Sequence, residues 1–175
     1  RYHDEMCEPT IREVLVKRYP RDRYILTDKM TLNYITKSED QESFLQDQLK
    51  LCSTEYFDNY LVHNLGAVWY EVAKKFGTFE FIRKKKEEGF IRHTGFSFHD
   101  NAKALDELLT RHPEMEFVQL QINYADWDSP SVQSAKCLEV AKKHNKPVII
   151  MEPVKGGLLA SPPDAVTKIL QEADP

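Results

Sequence analysis

Residues 57–63 read Phe-Asp-Asn-Tyr-Leu-Val-His, and Asn64, Leu65 and Gly66 follow at once. The run reads as a short buried strand that ends on the ionisable ring of His63 and then stops. Beyond it one pattern repeats: a charged helical segment, a short apolar strand, then a polar residue or glycine at the strand's C-terminal end. Alternating strands and helices predict a parallel sheet. In the barrel form of such a sheet, the side chains that do chemistry collect at the strand C-termini, where His63 stands.

Upstream of this stretch, Glu8, Pro9 and Thr10 open a helix carried on by Ile11, Val14 and Leu15 at helical spacing. It ends at Tyr19-Pro20, because the residue before a proline is pushed out of the α region. Tyr24 to Thr27 is a β-rich run with Asp28 and Lys29 at its end. Ser38 to Leu51 is an amphipathic helix in which Ser38 and Gln41 resemble a capping box.

Downstream of His63, a helix passes through Val72, Phe76, Phe79, Phe81 and Ile82, with Gly77 as a breaking point and Gly89 as its C-cap. Ile91 to Ser97 is strand, and Gly95 allows close backbone approach there. Asn101 caps a helix that stops before Pro113. Phe117 to Asn123 is strand, and a helix starts from Pro130. Pro147 to Met151 is the nearly continuous apolar run of a parallel core strand, and Asp164 to Ala173 is a short helix.

Five strands are thus expected, ending near Thr27, His63, Ser97, Asn123 and Met151. Their spacing is roughly 30 residues, the length of a βα unit. A (β/α)8 TIM-type barrel needs eight strands and about 250 residues. The barrel is therefore expected to be incomplete here, with about five βα units visible. A doubly wound open sheet is the alternative, although no G-x-G-x-x-G follows any strand, which counts against its dinucleotide-binding form.

A chain of 175 residues suits one domain with a real core. Its 41% hydrophobic and 30% charged residues are those of an ordinary globular protein, not a disordered segment. A net charge of −4 and a pI near 5.9 argue against a general nucleic-acid binder. No apolar run approaches the roughly 20 residues that span a bilayer. The opening, RYHDEMCEPT, has no leader-type apolar run and no initiator Met, so the chain reads as a piece of a longer polypeptide with a cytoplasmic location. Cys7, Cys52 and Cys137 are odd in number and scattered, as reduced thiols are, and form no C-x-x-C metal motif.

Three side chains suit chemistry by placement. Tyr2 lies at the start, Lys29 at the end of the first strand, and His63 at the end of the second. Consecutive parallel strands are usually neighbours, so Lys29 and His63 should face one pocket. A phenol has an unperturbed pKa of about 10. A nearby ammonium favours the phenolate and lowers that value. A histidine beside them could orient a substrate oxygen. The trio suits protonation of a carbonyl oxygen as charge develops on it. Each residue also has a plainer reading: a solvated lysine, a satisfied strand-end histidine, a surface or core tyrosine. His93, His99, His3, His112 and His144 read as ordinary strand, loop or surface residues. A metal-dependent hydrolase barrel would want a His-x-His pair together with a strand-end Asp, and this chain has no His-x-His pair. No metal ligand is assigned.

Several short stretches resemble the aldo/keto reductases in order and spacing. They are Tyr2-His3, Leu26 to Lys29, Asp58 to His63, Gly95-Phe96-Ser97-Phe98-His99-Asp100, Gln121-Ile122-Asn123-Tyr124, and Glu152-Pro153 through Gly157. The chain looks like the prokaryotic branch with a GFSFHD-like loop, whose members often carry an iron–sulfur domain after the barrel.

The resemblance implies an NAD(P)-dependent carbonyl reductase, with residues 1–175 forming one barrel domain that lacks its first strands and its last. It implies Tyr2 as proton donor, Lys29 as the partner that lowers its pKa, and His63 as the substrate-orienting imidazole. The family's catalytic Asp would precede Tyr2 and falls outside the chain. Ser97 and Gln121 match positions that hold the nicotinamide carboxamide. Phe98 stands where the family often has Asn, and Met151 stands where a ring-stacking aromatic is expected. Gly156 and Gly157 would let backbone amides approach the pyrophosphate, although a Gly-Gly after a strand is also an ordinary turn. The implied cofactor is NADP, or NAD; a 4Fe-4S cluster would belong only to a region outside this chain. The implied partner is a small-molecule carbonyl substrate, not a nucleic acid or a membrane. The alternative is a catalytically silent nicotinamide-binding barrel that serves regulation or assembly.

Overall fold

The structure, a computed structural model, describes residues 6–173. Five strands form one wholly parallel sheet in the order β1-β2-β3-β4-β5. They are β1 (Thr27–Met30), β2 (Phe57–Val62), β3 (Ile91–Phe98), β4 (Phe117–Gln121) and β5 (Val148–Met151). Helices α1 (Cys7–Ile11), α2 (Asp40–Cys52), α3 (Ala67–Lys75), α4 (Thr78–Glu87), α5 (Ala102–Arg111), α6 (Ser134–Lys143) and α7 (Asp164–Glu172) alternate with them. Sequential strands that pair in sequence order, each joined through a helix, are five consecutive βα units of the (β/α)8 type.

The pairing registers sort the side chains into two faces. Met30, Val62, Phe96, Val118 and Val148 form one row across all five strands. Successive side chains in a strand point to opposite faces, so Tyr60, Phe98 and Leu120 share the face of that row. These residues pack with Phe44, Leu45 and Leu49 of α2, Phe79 and Ile82 of α4, Leu105, Leu108 and Leu109 of α5, and Cys137 and Ala141 of α6. This is the core between sheet and helices, where each fully buried large apolar side chain contributes about 1.5–3 kcal/mol.

Several elements differ in detail from the sequence reading. β1 spans Thr27–Met30 and shares only Thr27 with the expected run Tyr24 to Thr27, so Asp28 and Lys29 lie within the strand rather than past its end. The Leu26 N–H donates to the Asp58 carboxylate at 2.8 Å instead of joining a ladder. Asp58 also takes Arg21 at 2.6 Å and Arg92 at 3.0 Å. The two guanidinium carbons stand 4.0 and 3.9 Å from the Tyr56 ring centroid. This clamp closes the N-terminal end of β2. The capping box at Ser38 does not form; the Asp40 carboxylate accepts the Thr36 and Lys37 N–H groups instead. α6 starts at Ser134, not Pro130, after Gln133 in the left-handed region. The break at Gly77 (φ 65°) separates α3 from α4, and Asn101 caps α5 by accepting the Ala104 N–H at 3.0 Å.

Candidate active site

The opposite face of the sheet carries the residues singled out in sequence. Lys29 pairs with Leu61, Leu61 with Gly95, and Gly95 with Phe117, which makes a second row. Two residues further along each strand come His63, Ser97 and Gln119, and beyond them Gln121, which pairs with Met151. Period-two alternation therefore places Lys29, His63, Ser97, Gln121 and Met151 on one face, near the C-terminal ends of five adjacent strands. Tyr2 lies outside the described residues, as does His3. Gly95 is required by this row. A Cβ there would stand 2.5 Å from the Phe117 carbonyl oxygen and 2.8 Å from its ring.

Local partners hold these positions. The buried Gln48 of α2 donates to the Lys29 carbonyl at 3.0 Å and accepts from the Tyr60 hydroxyl at 2.5 Å. Asn64, left-handed at φ 54°, gives its N–H to the Ser97 Oγ at 2.8 Å. Leu65 N–H donates to the Ser97 carbonyl at 2.7 Å. Asp100, in the loop after β3, accepts the Ala67 N–H and so caps the start of α3.

The electrostatics of the pocket follow first from burial, with the Lys29 charge acting on both His63 and His99. Burial pushes the His63 pKa down to about 4, and the Lys29 ammonium and His99 push the same way. The ring is neutral at pH 7. Burial lowers the Lys29 pKa, while Asp28 and Cys7 oppose the shift. The His99 pKa is lowered, first by its surroundings and then by Lys29, with Glu152 opposing. His99 continues the inward side of β3 two residues past Ser97, and it lines one cavity together with Gln121. Asp28 faces the helix side. Its Oδ1 accepts the Lys29 N–H at 2.8 Å, its Oδ2 is buried without a hydrogen-bond partner among the described residues, and burial raises its pKa to about 7.

A second network surrounds Gln121. Its Nε2 donates to Asp126 Oδ2 at 2.8 Å. The same oxygen accepts Asn123 Nδ2 at 2.8 Å, and Oδ1 accepts Lys155 Nζ at 2.5 Å. Asn123 also donates to the Glu152 carbonyl at 3.1 Å, tying the loops after β4 and β5 together. Asp126 is buried, and Lys155 and the two amides hold its pKa down to about 2.

A nicotinamide carboxamide needs an acceptor for its N–H2 and a donor for its oxygen. Gln121 Oε1 and the Ser97 O–H proton are such a pair, and neither makes a hydrogen bond among the described residues. That side fits the group. The glycine turn fits less well. Gly156 and Gly157 are left-handed at φ 63° and 96°, and a Cβ at either would meet open space. The Gly157, Leu158 and Leu159 amides already donate to Val154 and Lys155 carbonyls within the turn.

His99 reads in sequence as an ordinary loop residue, although its parity with Ser97 marks it for the same face. Asp126 and Lys155 carry no local signal in the sequence that would join them to Gln121. Among the described residues no group of three His, Cys, Asp or Glu side chains is placed to hold a metal ion. None of the helices among them is long and apolar enough to cross a membrane.

A family model described as the aldo/keto reductase family matches residues 1–168. No curated protein matches the chain. Among solved structures, it is similar to a thermostable aldo-keto reductase crystallised with the inhibitor epalrestat, with TM-score 0.71 and 21% identity over 94% of this chain and 56% of that one. It is similar to an aldo-keto reductase from Klebsiella pneumoniae in complex with NADPH, with TM-score 0.67 and 22% identity over 87% of this chain and 50% of that one. An aldo/keto reductase from Brucella melitensis gives TM-score 0.70 and 20% identity over 94% of this chain and 59% of the other. The chain thus spans about half the length of the solved structures it matches, and the likeness is one of fold.

Proposed function

Because the chain belongs to the aldo/keto reductase family, we propose that it contributes the central part of a site that reduces an aldehyde or ketone with a nicotinamide cofactor. The observation that carries this reading is the shared face of Lys29, His63, Ser97, Gln121 and Met151 near five adjacent strand ends. The cofactor, when bound, supplies the hydride. NADP is the expected form, since a fold neighbour was crystallised with NADPH. Ser97 and Gln121 would hold the carboxamide, with the Met151 thioether beside them.

The protein's own part is to place and protonate the carbonyl. His63, neutral because burial and the Lys29 charge hold its pKa near 4, presents one ring N–H to the substrate oxygen without adding charge to the pocket. Tyr2 gives that oxygen its proton. Lys29 favours the phenolate left behind, which lowers the barrier to the transfer. The cavity beside His63, walled by Thr31, Leu32, Asn33, Asn64 and Trp69, is the natural entry for the substrate's remaining groups.

The test is Lys29→Met in the full-length protein, assayed on every carbonyl compound the wild type reduces. Positioned general acids contribute about 10²–10⁴-fold. The turnover number should therefore fall by about a hundredfold or more, while cofactor affinity changes little. Wild-type turnover in this variant would overturn the assignment. Dinucleotide binding with no turnover on any carbonyl by the wild type would instead favour a silent binding module. Phe98 motivates that rival, because it faces the helices and is 2% exposed, leaving the carboxamide one polar neighbour short.

A further inference from the structure

Gln121 is a side-chain amide whose two ends do opposite things: one accepts hydrogen bonds and the other donates them. Which end faces the pocket decides what the pocket recognises, and that choice is made outside the pocket. The outer end of Gln121 meets Asp126 Oδ2 at 2.8 Å. An ionised carboxylate only accepts, so the nitrogen must point to it and the oxygen to the pocket. Asp126 cannot turn to accommodate the reverse. Its Oδ2 also holds Asn123, its Oδ1 holds Lys155 at 2.5 Å, and its own N–H donates to Asn123 Oδ1 at 2.9 Å. It is 4% exposed, so water does not compete for these bonds.

We propose that Asp126 is a positioning residue: it fixes the Gln121 amide with its oxygen toward the pocket, so that the pocket selects a ligand that offers an amide N–H there. The inference rests on the nicotinamide reading above and adds to it the origin of the selectivity. Ser97 fits the complementary role, since its hydroxyl proton is available to the carboxamide oxygen while its Oγ accepts from Asn64.

Two oxidised dinucleotides separate the ideas: NADP and its 3-acetylpyridine analogue, in which a methyl ketone replaces the carboxamide and no N–H remains. Their affinities are measured by isothermal titration calorimetry on the full-length protein. A net hydrogen bond of about 1 kcal/mol predicts that the wild type prefers NADP by about fivefold. Asp126→Asn can donate to Gln121 and let the amide reverse, so the preference should collapse toward one. Gln121→Met should lose it equally, and the double variant should lose no more. Release of Lys155 in Asp126→Asn would change both affinities alike and cancel in the ratio.

A preference kept in Asp126→Asn overturns the inference. So does equal binding of the two dinucleotides by the wild type, which decides the matter even where the variant fails to fold. If neither dinucleotide binds the wild type, the functional reading fails first and this inference falls with it.

Discussion

Asp28 and His63 lie on neighbouring strands and titrate over overlapping pH ranges with opposite consequences. Burial raises Asp28 to about 7 from an ordinary 3.8. Across that range the folded chain holds a proton that the unfolded chain has released. The stabilisation from this group is therefore complete below about pH 4 and lost as pH rises through 7. His63 runs the other way, with its pKa lowered from 6.5 to about 4. There the unfolded chain binds the extra proton, and stability is lost as pH falls from about 6.5 toward 4. Asp28→Asn keeps an oxygen for the Lys29 N–H and removes the buried acid. It should make the protein more resistant to urea than wild type at pH 8, with the gap narrowing by pH 4. Parallel denaturation curves at the two pH values would refute this. Both residues were visible in sequence at strand ends. Their opposed protonation was not, because burial on either face of the sheet is decided only when the strands and helices assemble.

At the level of elements, β3 and β4 approach more closely than any side chain at position 95 allows. The Cβ of Gly95→Ala would meet the Phe117 carbonyl oxygen at 2.5 Å. That oxygen belongs to the ladder and cannot yield without parting the strands. Overpacking of this kind costs about 1–3 kcal/mol, to be read as a lower urea midpoint. Phe117→Leu should not rescue it, since the ring goes but the carbonyl stays; recovery of the midpoint would place the clash in the ring instead. The strands after β1 were legible because each is a short, largely apolar run between helical segments; β1, Thr-Asp-Lys-Met, is not such a run. Their ends were less so. β1 falls three residues later than expected, at Thr27–Met30, and Asp58, distant in sequence, takes the Leu26 N–H before it. α6 starts late because Gln133 is left-handed and Ser134 donates to the Gln121 carbonyl at 2.8 Å.

For the molecule as a whole, the consequential feature is that the sheet has two edges. Among the described residues, β1 and β5 each pair on one side only. Ile150 of β5 is 54% exposed, and Leu158, Ile169 and Leu170 nearby in sequence are exposed as well. α7 buries none of its residues, whereas α5 and α6 bury three each. Unpaired edges with apolar neighbours template association. The 175-residue chain by itself should self-associate with rising concentration in sedimentation velocity, and Ile150→Lys should shift it toward monomer. A chain that sediments as a monomer at every concentration would contradict this.

Residue order alone determined the succession of strands and helices and the parity of Lys29, His63, Ser97, Gln121 and Met151 along their strands. Both follow from local periodicity, which the chain carries wherever it goes. Only tertiary structure decided the row in which those residues meet, the neutral ring of His63, the buried acid of Asp28 and the hold of Asp126 on Gln121 and Lys155. Register and burial are long-range quantities, set when strands about 30 residues apart lie side by side and the assembled sheet, loops and helices exclude water from these side chains.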